Sequence, residues 1–508
     1  MSALSLAVSL EKVSRIVGYV LKKGNFATTS PNLPIRIAIL GEANTANQSG
    51  LDTSKGQEVT SAQQAGELYG FGSPIHAKMR ILRPNSGDGV GSIPTVVYPQ
   101  ATPVGATAKI ITITPSGFAR GNGTHYLKVA GRDGVDGQSY AVNVEYNDTV
   151  ADITQKIEDA VNGVLGSPIS ATSTDYTVTL TTKWKGLTAE DLSVEVDTGD
   201  NDFELAYVIA TTQNGAGSPD ITASLNLFGN AWNNIVSNGY GLHSTQLDQL
   251  EDYNGIADPD NPTGRYSGST FKPFVAVCGS VVDDPSSITD ARLAEMTIAV
   301  APAPLSKGMP YEAAANMVYL FALNSQNTPH LDVAGKSYPD MPVPTDENIG
   351  SMATYTNRDL FVKDGCSTVD LVAGKYQVQD FVTTYHPEGE IPPQFRYCRN
   401  LVIDWNVRYG YLLLELVHVV DHTLANNDDA TDAQNVVKPK MWIGVLNGYA
   451  DDLASRALIA DAAFMQASIE VQIGETSPDR FETFFRYKRT GFARQIATTA
   501  EAGFNFGS

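Results

Sequence analysis

Both ends of this chain carry strand-like stretches with no evident partner of their own. Near the start, Leu4, Leu6, Val8 and Leu10 alternate with Ala3, Ser5, Ala7 and Ser9, the period of two of a half-buried strand. Near the end, residues 480–490 (R-F-E-T-F-F-R-Y-K-R-T) form a second β-prone stretch, followed by a polar tail carrying Phe504 and Phe506. Chain ends are usually polar and frayed unless something ties them down. Apolar, strand-prone ends therefore predict a subunit that completes the sheets of adjoining copies by strand addition.

Between these ends lies enough chain for several domains: 508 residues, 42% of them hydrophobic. A formal net charge of -21 repels phosphates, so broad nucleic-acid binding is excluded. Three cysteines, Cys278, Cys366 and Cys398, are too few and too odd in number for a disulfide framework and read as free thiols from a reducing compartment. Whether any of them bridges two subunits is open at this stage. No basic residue precedes the apolar start, while Lys12, Arg15, Lys22 and Lys23 follow it, so no signal peptide is expected. Residues 411–420 are interrupted by Glu415 and His418 and are too short to span a bilayer. The expectation is a soluble protein made in the cytoplasm, without membrane insertion.

Residues 34–40 (P-I-R-I-A-I-L) form an apolar, β-branched run that reads as a buried strand. Thr60 is expected to open a helix carrying Ala62, Ala65, Leu68 and Tyr69, stopped at 70–72 by Gly-Phe-Gly. Residues 274–278 and 297–300 look like further buried strands, and 311–323 like an alanine-rich helix. This alternation predicts an α/β layer with a largely parallel sheet. From about 105 to 212 the sequence turns Thr-rich and alternating, interrupted by one helix capped at Asp148 and carrying Ile153, Ile157 and Val161. Gly/Pro-rich margins flank it, as hinges of an inserted β-domain would. Farther on, Leu401, Trp405, Tyr409, Leu412, Leu413, Leu416 and Val420 make an apolar stripe at helical spacing. Asp404, Arg408, Tyr411, Glu415, His418 and His422 make the opposite face. A second helix carries Leu453, Ala457, Ala460 and Phe464.

The sharpest enzyme-like signal is residues 418–422, H-V-V-D-H. Two histidines four apart on a helix share a face and can hold one zinc ion. Asp421, however, stands where the inverted zinc-peptidase motif has Glu, one methylene too short for its general base. The competing reading is a polar helix end whose histidines meet the negative dipole terminus. Residues 335–337 (G-K-S) lack the first glycine of a phosphate-binding loop, because His330 occupies that place. Asp133, Asp136, Asp258 and Asp260 sit in turn sequences without the full calcium-loop spacing. The basic cluster Arg486, Lys488, Arg489 and Arg494 in an acidic chain reads either as a charged strand edge guarded against aggregation or as a contact for an acidic patch on a neighbouring copy.

The chain resembles the contractile tail sheath proteins of bacteriophages, in the Mu-like branch. The N-terminal resemblance runs through residues 59–79 (V-T-S-A-Q-Q-A-G-E-L-Y-G-F-G-S-P-I-H-A-K-M). The C-terminal one runs from Asn400 through 422–427 (H-T-L-A-N-N) and 437–439 (V-K-P) to the β-rich end.

That resemblance implies a subtilisin-like α/β core without protease activity, an inserted mainly-β outer domain, an α+β C-terminal domain lining the tube, and strand-exchanging arms. The expected boundaries are an N-terminal arm at 1–24, a core at 25–98 and 220–385, an insert at 99–219, a C-terminal domain at 386–490 and a C-terminal arm at 491–508. The implied product is a structural virion component rather than an enzyme, assembled in the host cytoplasm and needing no cofactor or metal. Copies would form hexameric discs stacked around a tail tube protein, in contact with baseplate and tail terminator proteins. On contraction the subunits rotate and move outward while the arm links persist, driving the tube through the host envelope. Leu4, Leu6, Val8 and Leu10 would then be inward side chains of the donated strand. Phe484, Arg486 and Lys488 would lie in the C-terminal β segment, with Phe504 and Phe506 as distal anchors. Asp404, Arg408, Glu415, Asp451, Asp452 and Arg456 would be tube-facing candidates. Two alternatives remain open here: a zinc-dependent hydrolase using His418 and His422, and a baseplate or surface-array protein assembled by the same strand exchange.

Overall fold

A computed structural model describes residues 31–502 apart from 88, 259, 269 and 432. The expected arm residues Leu4, Leu6, Val8 and Leu10, and the anchors Phe504 and Phe506, lie outside the described residues.

The apolar run at 34–40 leads into β1 (Ile37–Glu42), which is buried at every position. Such a strand suits a parallel sheet covered on both faces. β2 (Gln57–Glu58), α1 (Ala62–Tyr69), α2 (Pro74–Leu82) and β3 (Thr95–Gln100) follow. Ser61, not Thr60, caps α1: its hydroxyl accepts the Gln64 N–H at 3.1 Å. Gly70, at φ +92°, stops that helix, a conformation that costs little only without a Cβ.

The chain then leaves this sheet for β4 (Ile110–Gly117), β5 (Gly123–Val129), β6 (Ala141–Val144), α3 (Val150–Asn162), β7 (Ile169–Ser173), β8 (Val178–Thr182), β9 (Val194–Asp197) and β10 (Leu205–Gln213). These strands make an antiparallel sheet ordered β10-β4-β8-β7 and a second ordered β9-β5-β6. Ile153, Ile157 and Val161 of α3 share one core with Ile113 and Leu180 of the first sheet and Leu127 and Val142 of the second. Thr149, not Asp148, caps α3 through a reciprocal box with Asp152. Asp148 instead accepts from the Glu145 N–H and from Lys156 Nζ, both at 2.7 Å.

The chain returns with β11 (Ile235–Ser237), α4 (Ser244–Asn254), β12 (Val275–Ser280), β13 (Ile298–Pro302) and α5 (Pro310–Asn327). The completed sheet runs β13-β12-β11-β1-β3-β2, parallel except at the β2–β3 pair. Alternation along β1 divides its two faces. Ile37 and Ile39 pack with Ile75 and Met79 of α2 and Met317 of α5. Ala38 and Leu40 pack with Leu247 and Leu250 of α4. A Cβ at Gly279 would lie 1.7 Å from the Pro310 carbonyl oxygen, so only glycine lets α5 begin against β12.

The last quarter comprises a hairpin of β14 (Thr368–Val372) and β15 (Lys375–Asp380), then α6 (Cys398–His418), β16 (Thr423–Leu424), β17 (Val436–Val437), α7 (Pro439–Ser455), α8 (Ala462–Ala467), β18 (Glu470–Ile473) and β19 (Phe481–Phe484). The helix α6 belongs to two cores. Leu401, Val402 and Trp405 join the main one, while Ile403 and Val407 pack with Trp442, Leu446, Tyr449 and Leu453. The expected apolar stripe departs from this packing at its far end, where Leu416 is 52% exposed and Val420 is also exposed. Tyr411, expected on the polar face, instead packs edge-on against Trp442. The cause lies at Gly410, where a Cβ would stand 2.6 Å from the Tyr449 hydroxyl. Its absence lets Tyr449 donate to the Val407 carbonyl at 2.6 Å and draws α7 onto that side.

The C-terminal β stretch also differs from expectation. Only Phe481–Phe484 form a strand, and they pair antiparallel with β18 of the same chain, Phe484 opposite Glu470 and Phe481 opposite Ile473. This end does have an internal partner. Cys278, Cys366 and Cys398 are free and buried, which shields them from thiols on other molecules. Among the described residues, no helix is long and apolar enough to cross a membrane.

Candidate assembly surface

The segment after β19 is fastened to its own body side chain by side chain. The Arg486 N–H donates to Ser468 Oγ at 2.8 Å. Lys488 Nζ lies 3.1 Å from Asp461 and 4.1 Å from the centre of the Phe464 ring. Arg489 grips Asp404 through Nε and Nη2 at 2.7 and 2.6 Å, and the Tyr487 hydroxyl donates to the same carboxylate at 2.8 Å. Burial opposes the Arg489 charge, but the Asp404 hydrogen bonds and charge outweigh it and hold the guanidinium above its ordinary pKa. Burial, reinforced by Asp404, pushes the Tyr487 hydroxyl far above its usual range. Farther on, Arg399 donates to the Thr490 carbonyl and hydroxyl, both at 2.8 Å. Arg494 pairs with Asp332 and with Asp380 at 3.0 Å, and its guanidinium carbon sits 3.6 Å from the centre of the Tyr397 ring. Beyond it, residues 495–502 are exposed.

Three features meet on this face. The β18–β19 sheet has only two strands, so among the described residues the outer side of each strand has no ladder partner. Beside β19 runs a groove of about 460 Å³ lined by Trp405, Arg408, Tyr411, Thr483, Phe485 and Tyr487. At the far end of α6, Leu416, Val417 (65% exposed) and Val420 are exposed, as is Met441 at the neighbouring start of α7. Clustered exposed apolar side chains of this kind mark contact surfaces.

Among the sequence-derived candidates, Asp404, Arg408 and Glu415 come together along this groove. The Asp404 carboxylate is occupied internally by Arg489, and Arg408 lies 3.9 Å from Glu415. Asp451, Asp452 and Arg456 sit apart at the end of α7: Asp451 accepts from Gln466 at 2.9 Å, Arg456 lies 3.4 Å from Asp452, and Arg456 also donates to Asn32 at 2.6 Å. Phe484 is exposed and lies under the Arg486 guanidinium. The sequence reading missed Tyr411, Phe485 and Tyr487 as groove walls. The two-residue spacing of Phe485 and Tyr487 was the available signal.

The zinc alternative loses its geometric premise. The helix α6 ends at His418, and Asp421 takes φ +62°, so His418 and His422 do not occupy successive turns of one helix. His418 lies against Trp442, and His422 Nδ1 is 2.9 Å from the Val420 carbonyl. Among the described residues, no group of three or more potential ligands gathers.

No family model matches the chain, and no curated protein matches its sequence. Among solved structures, it is similar to the sheath tail protein of Desulfitobacterium hafniense, at 10% identity over 93% of this chain and 100% of that one, with a TM-score of 0.43. It is also similar to the sheath tail protein of Listeria innocua, at 11% identity over 91% of this chain and 96% of that one, with a TM-score of 0.39.

Proposed function

We propose that this chain is the structural subunit of a contractile phage tail sheath of the Mu-like type, built on a subtilisin-like core. Copies polymerise as stacked hexameric discs around a tail tube and shorten to drive that tube through the host envelope. The observation that carries the reading is the unfinished β18–β19 sheet beside an apolar groove. A donated strand supplies what both lack: backbone groups for an open edge, and alternating apolar side chains for the groove. The segment bearing Leu4, Leu6, Val8 and Leu10 has that pattern. Each ladder hydrogen bond contributes about 0.5–1.5 kcal/mol net, so a few residues of exchanged strand can outlast softer polar contacts between discs. Asp404, Arg408 and Glu415 are the tube-facing candidates whose groups lie along the groove; Asp404 is held by Arg489, which leaves Arg408 and Glu415 to meet the tube. The insert stands on the outer surface, and baseplate and terminator proteins cap the two ends of the assembly.

Deleting the residues before Lys12 tests this reading. The truncated chain keeps the circular dichroism and monomer sedimentation of a folded subunit but forms no hollow, striated tubes in negative-stain images, whereas the full chain does. Tubes of ordinary length from the truncated chain refute the arm mechanism. Flat arrays from the full chain refute the sheath reading in favour of a surface lattice.

A further inference from the structure

The seam between the insert and the core holds a pocket of about 720 Å³ whose wall includes Asn44, Phe71, Thr181, Lys183 and Lys185. Lys183 Nζ reaches the Leu165 carbonyl at 3.4 Å, and burial lowers its pKa with no carboxylate to offset it. Among the described residues, neither lysine pairs with a carboxylate. Glu67, also in the wall, is exposed and accepts from Gln63 instead. Asn44 is buried; its Nδ2 donates to the Phe71 carbonyl at 2.8 Å, and its Oδ1 has no partner. Two unpaired ammonium groups in a chain of net charge -21 favour a negative group from outside.

At the other pole of the insert, residues 197–204 (D-T-G-D-N-D-F-E) carry four carboxylates. Asp197 pairs with Lys128 at 2.8 Å and Glu204 with Arg120 at 3.6 Å. Among the described residues, Asp200 and Asp202 meet no cation. The loop has a fixed shape. Asp197 Oδ1 accepts the Gly199 N–H and Asn201 Oδ1 the Phe203 N–H, both at 2.9 Å, and the Phe203 ring stacks on His125. β4 connects the two poles: Gly117 stands opposite Leu205 beside the loop, and Ile110 opposite Thr181 beside the pocket. The rise of a strand sets them roughly 25 Å apart, so the loop cannot enter the pocket of its own chain.

We propose that the acidic loop of one copy enters the lysine pocket of an adjoining copy in the stack. Asp200 and Asp202 then face Lys183 and Lys185, and the Asn201 amide between them supplies the donor that Asn44 Oδ1 lacks. The contact rests on the sheath reading, which supplies copies aligned in one direction. Loop and pocket are different surfaces, so the contact is heterologous: each copy gives its loop to one neighbour and its pocket to another, and two copies do not close on themselves. Inserts meet tip to base over the outer surface. Ion pairs at a solvent-exposed rim are weak and screened by salt, so free subunits stay monomeric. Once the terminal arms hold neighbours together, the high effective concentration fills the pocket.

The test is zero-length cross-linking of the polymerised full chain. Nitrogen-15-labelled and unlabelled copies are mixed, assembled at low salt and treated with a carbodiimide, which joins a carboxylate to an amine in contact with it. Mass spectrometry of the digest should show Asp200 or Asp202 linked to Lys183 or Lys185, in pairs carrying the label on one side only, and these pairs should fade as salt is raised. Asp200→Lys with Asp202→Lys should raise the concentration needed for tubes several-fold. Adding Lys183→Glu with Lys185→Glu to the same chain should restore it, because both surfaces are then reversed, and that rescue excludes misfolding. Tubes that lack these links overturn the inference while leaving the sheath reading intact. So do links spread evenly over exposed lysines such as Lys55 and Lys363, the mark of random collision. An unaltered chain that forms no tubes refutes the sheath reading and this contact with it.

Discussion

Arg489 forks onto Asp404, Nε to Oδ1 at 2.7 Å and Nη2 to Oδ2 at 2.6 Å, across 85 residues of sequence. This bidentate pair locks the segment after β19 against α6 and fixes one wall of the groove. Replacing Asp404 with Ala strands a largely buried guanidinium and removes the acceptor of Tyr487 as well. Hydrogen bonds to charged groups contribute about 1.5–3 kcal/mol each, so a loss of roughly 2–3 kcal/mol is expected. Urea denaturation shows it as a lower midpoint with an unchanged slope.

Among the described residues, Arg494 is the last point at which the tail is fastened, held by Asp332, Asp380 and the Tyr397 ring. Arg494→Ala should release the chain beyond Thr490 while leaving the core intact. Amide hydrogen exchange will show faster labelling of residues 491–502 only. Arg494→Lys should not restore protection, since one ammonium cannot span two carboxylates and stack on a ring.

Leu416 and Val417 stand exposed at the end of α6, so charging them leaves folding nearly untouched, within about 0.5 kcal/mol. The double change Leu416→Asp and Val417→Asp should block assembly by burying charge at the contact. Sedimentation velocity reads this as monomer persisting at concentrations where the unaltered chain polymerises.

His76 is buried, and its Nδ1 accepts the Gly72 N–H at 3.1 Å, a bond that needs an unprotonated nitrogen. Burial, aided by Arg80, lowers its pKa from 6.5 to about 4. A depressed histidine pKa means the unfolded chain binds the proton more readily. The contribution is complete above pH 6.5 and is lost as pH falls toward 4, by about 3 kcal/mol in all. Urea midpoints across that window should fall for the unaltered chain and stay flatter for His76→Asn, after correction for the other groups by difference.

Glu42 closes β1 against the insert, its carboxyl hydrogen-bonded to Thr188 with its other oxygen unpartnered. Burial raises its pKa from 4.5 to about 8, against the lowering effect of Thr188. The sign is opposite to that of His76: the folded chain holds the proton, so stability is complete below pH 4.5 and falls as pH rises to 8. Glu42→Gln keeps the shape without the charge. It should be close to neutral at pH 5 and stabilising by about 4 kcal/mol at pH 8, measured as the difference in urea midpoints.

Local pattern carried most of the secondary structure. The apolar run before Gly41 became β1, and the i, i+4 spacing of Ile153 and Ile157 became a helix, because burial periodicity is written in neighbouring residues. Caps shifted by one position, from Thr60 to Ser61 and from Asp148 to Thr149. A cap is set by which residue turns its backbone out of the helix, and adjacent polar side chains compete for that place.

What sequence alone determined is the repertoire: buried strands, covering helices, an acidic surface, three lone thiols and apolar ends. Tertiary structure decided which groups meet. Removing one Cβ at Gly410 brings in Tyr449 and turns the working face of α6, and Asp404 finds Arg489 from the far side of the C-terminal region. Contacts between residues distant in the chain depend on packing shape and loop closure, which leave no periodic trace in the order of amino acids.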